Sequence, residues 1–147
     1  MYSKEEAREI KRNFWIAFAN KYPNKWILYN TKIKDFSLKF YVDNKKAEVS
    51  IDIECKEDEL RKIYYEKIES LKTILQEEYL PETIFERNHH LENGKIISRI
   101  WVAKTGISIN NPKTWNETFV FLAQNMQLFE TFFIEYEDYI QDLELNT

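Results

Sequence analysis

The sequence predicts an α+β domain: a mostly antiparallel sheet of about five strands with three helices, in the order α-β-β-β-α-β-β-α. Three observations lead there. Trp115, Phe119, Leu122, Met126, Phe129, Phe133, Tyr136, Ile140 and Leu143 recur at steps of four and three residues, which is a helical stripe. Two separate stretches, Phe36 to Cys55 and Thr83 to Ala103, alternate apolar and polar residues about a turn, as β-hairpins do. Nowhere does a strand pattern alternate with single helices in the manner of a parallel sheet.

Taken in chain order, Ser3 and Glu6 have the spacing of a capping box, and Ala7, Ile10, Phe14, Phe18 and Tyr22 form one apolar face ahead of Pro23. A helix over about Lys4 to Lys21 follows. Trp26 to Tyr29 reads as a short strand. Phe36, Leu38, Phe40 and Val42 then alternate with polar residues, as do Ala47, Val49, Ile51, Ile53 and Cys55. With Asn44 and Lys45 as the turn pair, Phe40 faces Val49, Leu38 faces Ile51 and Phe36 faces Ile53. Leu60, Tyr64, Ile68, Leu71 and Leu75 mark a second helix, from about Asp58 to Leu80, which Pro81 ends. Asn93-Gly94 is a strong hairpin turn, predicting Thr83 to Leu91 paired with Lys95 to Ala103. In that register Phe85 faces Val102, Arg87 faces Ile100, Glu86 faces Trp101 and Asn88 faces Arg99. The loop Asn110-Asn111-Pro112 opens the long last helix.

At 147 residues the chain fits one domain, 1–147, with 16% aromatic residues and only 2 Gly and 3 Pro. Such a composition excludes disorder. Cys55 is the single cysteine, so no internal disulfide forms, and no stretch reaches the roughly 20 apolar residues that span a bilayer. A cytoplasmic protein without a membrane segment is expected. Residues 1–46 hold 11 Lys/Arg against 5 Asp/Glu, net +6, while residues 47–147 hold 10 against 20, net -10. The acidic remainder argues against strong non-specific DNA affinity.

The sharpest constellation lies on the polar side of the first hairpin. Asp35 falls opposite Glu54 and Ser37 opposite Asp52, which puts three carboxylates within about 5 to 8 Å of one another. Hard oxygen ligands so arranged suit magnesium or calcium, and Lys56 follows Glu54 by two residues. The acidic residue followed by Glu54-Cys55-Lys56 resembles the restriction-endonuclease-like nuclease superfamily, with its acidic residue on one strand and (Asp/Glu)-x-Lys on the next. That resemblance implies Asp35, Asp52 and Glu54 holding a magnesium ion that activates water, and Lys56 stabilising developing charge. His89 and His90, adjacent on a strand, point to opposite faces and cannot chelate one ion together. Cys55 belongs to the apolar alternation and reads as a core thiol.

Tyr41 and Trp101 fall off the apolar faces, beside Lys39 and Arg99, the combination used for stacking nucleic-acid bases on an open sheet. The long helix keeps close to a 3.5-residue period, so its far end is a candidate surface for a homodimer. The stretch Lys95 to Phe133, KIISRIWVAKTGISINNPKTWNETFVFLAQNMQLFETFF, together with Ile68-Glu69, resembles the uncharacterised bacterial domain-of-unknown-function family 4268. Members commonly follow a nuclease-like domain, so the resemblance implies an accessory role near nucleic-acid processing. The leading expectation is a non-enzymatic interaction module with no cofactor and a protein or nucleic-acid partner. A metal-dependent nuclease using Asp35, Asp52, Glu54 and Lys56 is the alternative.

Overall fold

Residues 2–143 are described in the computed structural model of the chain. The elements run α1 (Lys4–Lys21), β1 (Phe36–Val42), β2 (Lys46–Ile53), α2 (Asp58–Ser70), α3 (Lys72–Glu78), β3 (Ile84–His90), β4 (Ile96–Thr105) and α4 (Trp115–Gln141), the last preceded by a 3-10 turn at Pro112–Thr114. All strands join one antiparallel sheet in the order β1-β2-β4-β3. The fold is thus α+β with four strands and four helices, where five and three were expected. No helix among the described residues is long and apolar enough to cross a membrane.

The capping box at α1 is present: Ser3 Oγ accepts from the Glu6 N–H at 3.1 Å, and Glu6 Oε1 accepts from the Ser3 N–H at 3.2 Å. The first hairpin has the expected register, Phe36 with Ile53, Leu38 with Ile51 and Phe40 with Val49. Its turn is held by Asp43, whose Oδ1 accepts from the N–H groups of Lys45 and Lys46, both at 2.8 Å. The apolar side of that hairpin, with Ile100 and Val102 of β4, packs under Phe14 and Phe18 of α1, Ile68 of α2 and the Phe119, Leu122, Met126, Phe129 and Phe133 stripe of α4.

Three expectations are corrected. The segment Trp26 to Tyr29 is not a strand. It makes one main-chain bond to the sheet, from the Leu38 N–H to the Leu28 carbonyl at 3.0 Å, and Leu28 then turns away at φ 50. The helix expected over Asp58 to Leu80 breaks at Leu71 because Ser70 Oγ donates to the Lys67 carbonyl at 2.6 Å. The Leu71 N–H bonds to Ile68 in a tighter turn instead. The second hairpin closes through a three-residue loop, Glu92 to Gly94, with Gly94 at φ 86 and the Leu91 N–H donating to the Lys95 carbonyl at 2.9 Å. A bulge then shifts β3, so that Glu86 faces Arg99 and Phe85 faces Ile100, two positions from the expected partners.

Arg61 of α2 holds that bulge. Its Nη1 donates to the Arg87 carbonyl at 2.6 Å and to Ser98 Oγ at 2.9 Å, and its Nη2 to Asn88 Oδ1 at 3.1 Å. The carbonyl released by the irregular ladder is therefore satisfied from the helix above it.

One turn along α2, Tyr65 is buried under the Arg87 guanidinium, and burial, with Glu69 adding to it, pushes its phenol up to about 12. A raised folded value means that this contribution to stability is intact below the unfolded phenol value of about 10 and is lost as pH rises toward the folded one. Urea unfolding between pH 9 and 11.5 is expected to show stability declining, by at most about 1.4 kcal/mol per pH unit from this group. Tyr65→Phe should flatten the decline, and an unchanged slope would remove the assignment.

Candidate functional site at the open face of the sheet

Helices cover one side of the sheet. The other side is built from alternate residues: Ser37, Lys39 and Tyr41 of β1, Glu48, Ser50 and Asp52 of β2, Arg99 and Trp101 of β4, and Ile84, Glu86 and His89 of β3. Pairing of β2 with β4 sets Asp52 directly opposite Arg99. The result is a two-pronged ion pair, Arg99 Nε to Asp52 Oδ1 and Arg99 Nη2 to Asp52 Oδ2, both 2.8 Å. Asp52 has 0% exposure, on the side of the sheet opposite the helix-packed residues Ile51 and Ile53.

The network extends across all four strands. Lys39 Nζ stands 3.5 Å from Asp52 and 2.9 Å from Glu54, and Lys95 Nζ is 3.7 Å from the other Glu54 oxygen. Glu48 lies 3.9 Å from Arg99 Nη1 and 3.2 Å from Lys46. His89 Nε2 is 3.1 Å from Arg99 Nη1, and because a guanidinium can only donate, that imidazole nitrogen accepts. His89 Nδ1 then carries the hydrogen and donates to Glu86 Oε2 at 3.3 Å. Burial acts against the Arg99 charge, yet Asp52, by hydrogen bonding and by charge, with Glu48 and Glu54 behind it, raises its pKa above the usual guanidinium value.

The four residues of the nuclease-like pattern divide between two places. Asp52 and Glu54 share the network just described. Asp35 sits at φ 61 just before β1, outside the strand alternation, and its carbonyl accepts the Glu54 N–H at 2.7 Å. With Lys34, Cys55, Lys56, Glu57 and Leu60 it lines a separate hollow of about 300 Å³ at the start of α2. Among the described residues no three His, Cys, Asp or Glu side chains are grouped as a metal-ligand set. Cys55 is 5% exposed, and burial raises its thiol, with Asp35 adding to the shift.

Of the residues expected to stack bases, Tyr41 is exposed and its hydroxyl donates to Asp43 Oδ2 at 2.9 Å, while Trp101 packs against the His89 ring at 5.4 Å. The two accompanying cations, Lys39 and Arg99, are both engaged with carboxylates. Sequence reasoning missed His89, Glu48, Glu86 and Lys95 as members of the network. The spacing of Glu48, Asp52 and Glu54 on one face was visible, but the cations that meet them come from strands whose neighbours only the sheet order defines.

No curated protein and no solved structure matches the chain. A family model described as a domain of unknown function, DUF4268, matches residues 10–137, from within α1 to the last turns of α4, and includes every strand of the sheet. The chain belongs to the DUF4268 family.

Proposed function

We propose that the domain is a non-enzymatic binding module with an accessory role beside nucleic-acid processing. The observation that carries this reading is the fate of Asp52. Both of its oxygens accept from Arg99, with Lys39 at 3.5 Å, so the carboxylate best sheltered for chemistry is already neutralised by protein cations. Neighbouring Glu48 and Glu54 likewise face Lys or Arg side chains. A set of this kind stiffens a surface and fixes its side chains for recognition. A metal would have to displace two charge-assisted hydrogen bonds before binding there. Self-association through α4 is a second contact mode that this reading allows, supported by Val120, Leu128 and Ile134 on its exposed side.

Titration with magnesium or manganese to millimolar concentration, followed by calorimetry, is expected to give no heat of binding, and supercoiled plasmid incubated with the same metals should remain intact. Binding heat abolished by Asp52→Asn, together with nicking of the plasmid, would instead establish the nuclease reading through Asp35, Asp52, Glu54 and Lys56.

A further inference from the structure

We propose that the outer edge of β1 is a docking strip for an extended acidic peptide, which adds to the sheet as a fifth strand and seats a large apolar side chain in the hollow beside Phe40. This rests on the reading of the domain as a binding module and names its partner chemistry.

The hollow, of about 340 Å³, is lined by Trp15, Leu28, Tyr29 and the four consecutive residues Ser37 to Phe40. Side chains of consecutive strand residues point to opposite faces, so a cavity touching four in a row looks onto the strand's edge. That edge carries unmet hydrogen-bonding groups. The flanking bonds Glu54 N–H to Asp35 O and Asp43 N–H to Lys46 O show that odd-numbered residues of β1 face β2, which leaves Phe36, Leu38 and Phe40 facing outward. The Phe36 carbonyl is taken by Thr31 Oγ1 at 2.7 Å and the Leu38 N–H by the Leu28 carbonyl at 3.0 Å. Beyond them, the Leu38 carbonyl and both main-chain groups of Phe40 have no hydrogen-bond partner among the described residues. The chain itself starts to fill this position at Leu28 and is then turned away by the positive φ there, so the next stretch of the edge stays open.

Charge and shape define the occupant. Tyr29, 77% exposed, joins this hollow to a second one lined by Asn30, Lys32, Ile33 and Lys34. Three lysines and no carboxylate line the pair of hollows; Lys39 is committed to Asp52 and Glu54, whereas Lys32 and Lys34 form no ion pair among the described residues and supply the strip's uncompensated positive charge. The strip therefore complements a strand with acidic side chains and an apolar anchor. Single-stranded nucleic acid would use Tyr29 and the lysines but leave the main-chain edge unpaired, which is why a peptide is the better fit.

The test is to pan the purified domain against a display library of random linear octapeptides. Enriched sequences are expected to be net acidic with large apolar residues at alternate positions. Binding of a synthesised winner should weaken at least tenfold in Tyr29→Ala and in Lys32→Glu/Lys34→Glu, all at exposed positions where folding is not at stake. Hydrogen exchange should show the Phe40 amide slowed by that peptide, and N-methylation of its alternate amides should abolish binding. No enrichment, winners indifferent to these substitutions, or an unprotected Phe40 amide would overturn the proposal. So would a single-stranded oligothymidylate whose binding is lost in the same variants while no peptide is enriched, or a dimer in light scattering that Tyr29→Ala dissolves. Metal-dependent nicking in the preceding experiment would sink the binding-module reading itself, whereas failed panning with the plasmid intact would sink only the docking strip.

Discussion

Arg99→Met is expected to lower the unfolding free energy by about 3 kcal/mol or more, the cost of leaving a buried carboxylate without its main partner. Asp52 has 0% exposure and receives two guanidinium bonds at 2.8 Å; with Arg99 gone, Lys39 at 3.5 Å is the one cation left beside it among the described residues. That lysine is itself committed to Glu54 at 2.9 Å. The pair is not thereby shown to stabilise the fold relative to an apolar one, because desolvating two charges offsets much of their attraction. Asp52→Leu/Arg99→Met is accordingly expected to return to within about 1 kcal/mol of the parent, since a matched apolar pair removes both the attraction and the desolvation cost. Denaturant unfolding of the two single variants and the double variant measures this as a coupling energy. If the double variant falls by the sum of the singles, the two side chains act independently and the network account of the open face fails.

What the sequence disclosed of this fold follows from how local each feature is. The first hairpin was readable in full because a two-residue turn and strict alternation over Phe36 to Ile53 fix register without reference to anything distant. The second was displaced by two positions, since the loop takes three residues and Arg87 and Asn88 together oppose Ser98. The bulge depends on Arg61, from an element 26 residues away in sequence, which no local pattern reveals. The break at Leu71 hangs on one hydroxyl, that of Ser70, and the lost fifth strand on the backbone angle of Leu28.

The candidate site was legible by halves for a similar reason. Alternation put Asp52 and Glu54 on one polar face, as found, but their partners Arg99 and Lys95 arrive through the pairing of β2 with β4, a neighbour relation between two hairpins that composition and period leave open. The same alternation, extended one residue too far, carried Asp35 onto that face, whereas its positive φ takes it out of the strand pattern. One buried cation could have been suspected from spacing alone. Lys67 falls seven residues after Leu60 and three after Tyr64, on the apolar stripe of its helix, where a charged residue needs a reason.

That reason gives the second large effect: Lys67→Met is expected to cost about 2–4 kcal/mol and to fray the end of α4. The last carbonyls of a helix lack main-chain donors and carry the negative end of its dipole. In α4 the problem is sharpened, because the final turns hold Glu135, Glu137 and Asp138 and the last turn has no basic residue. Lys67, 1% exposed on α2, supplies the missing cation: its ammonium donates to the Tyr139 carbonyl at 2.6 Å and to the Asp142 carbonyl, and lies 4.5 Å from the Tyr139 ring centre. Methionine fills the same volume but donates nothing, so those carbonyls lose their partner while still partly shielded from water. Tyr139→Phe tests the assignment from the other side. It keeps the carbonyl and the ring and removes only the hydroxyl that meets Ser70 Oγ at 2.8 Å, so it is expected to cost less than about 1 kcal/mol. Denaturant unfolding gives the two magnitudes, and hydrogen exchange at Ile140 and Gln141 should quicken in Lys67→Met well before the sheet amides do. Equal losses in the two variants would move the stabilisation from the capped carbonyls to the Tyr139 side chain, and the helix end would then be held by packing rather than by charge.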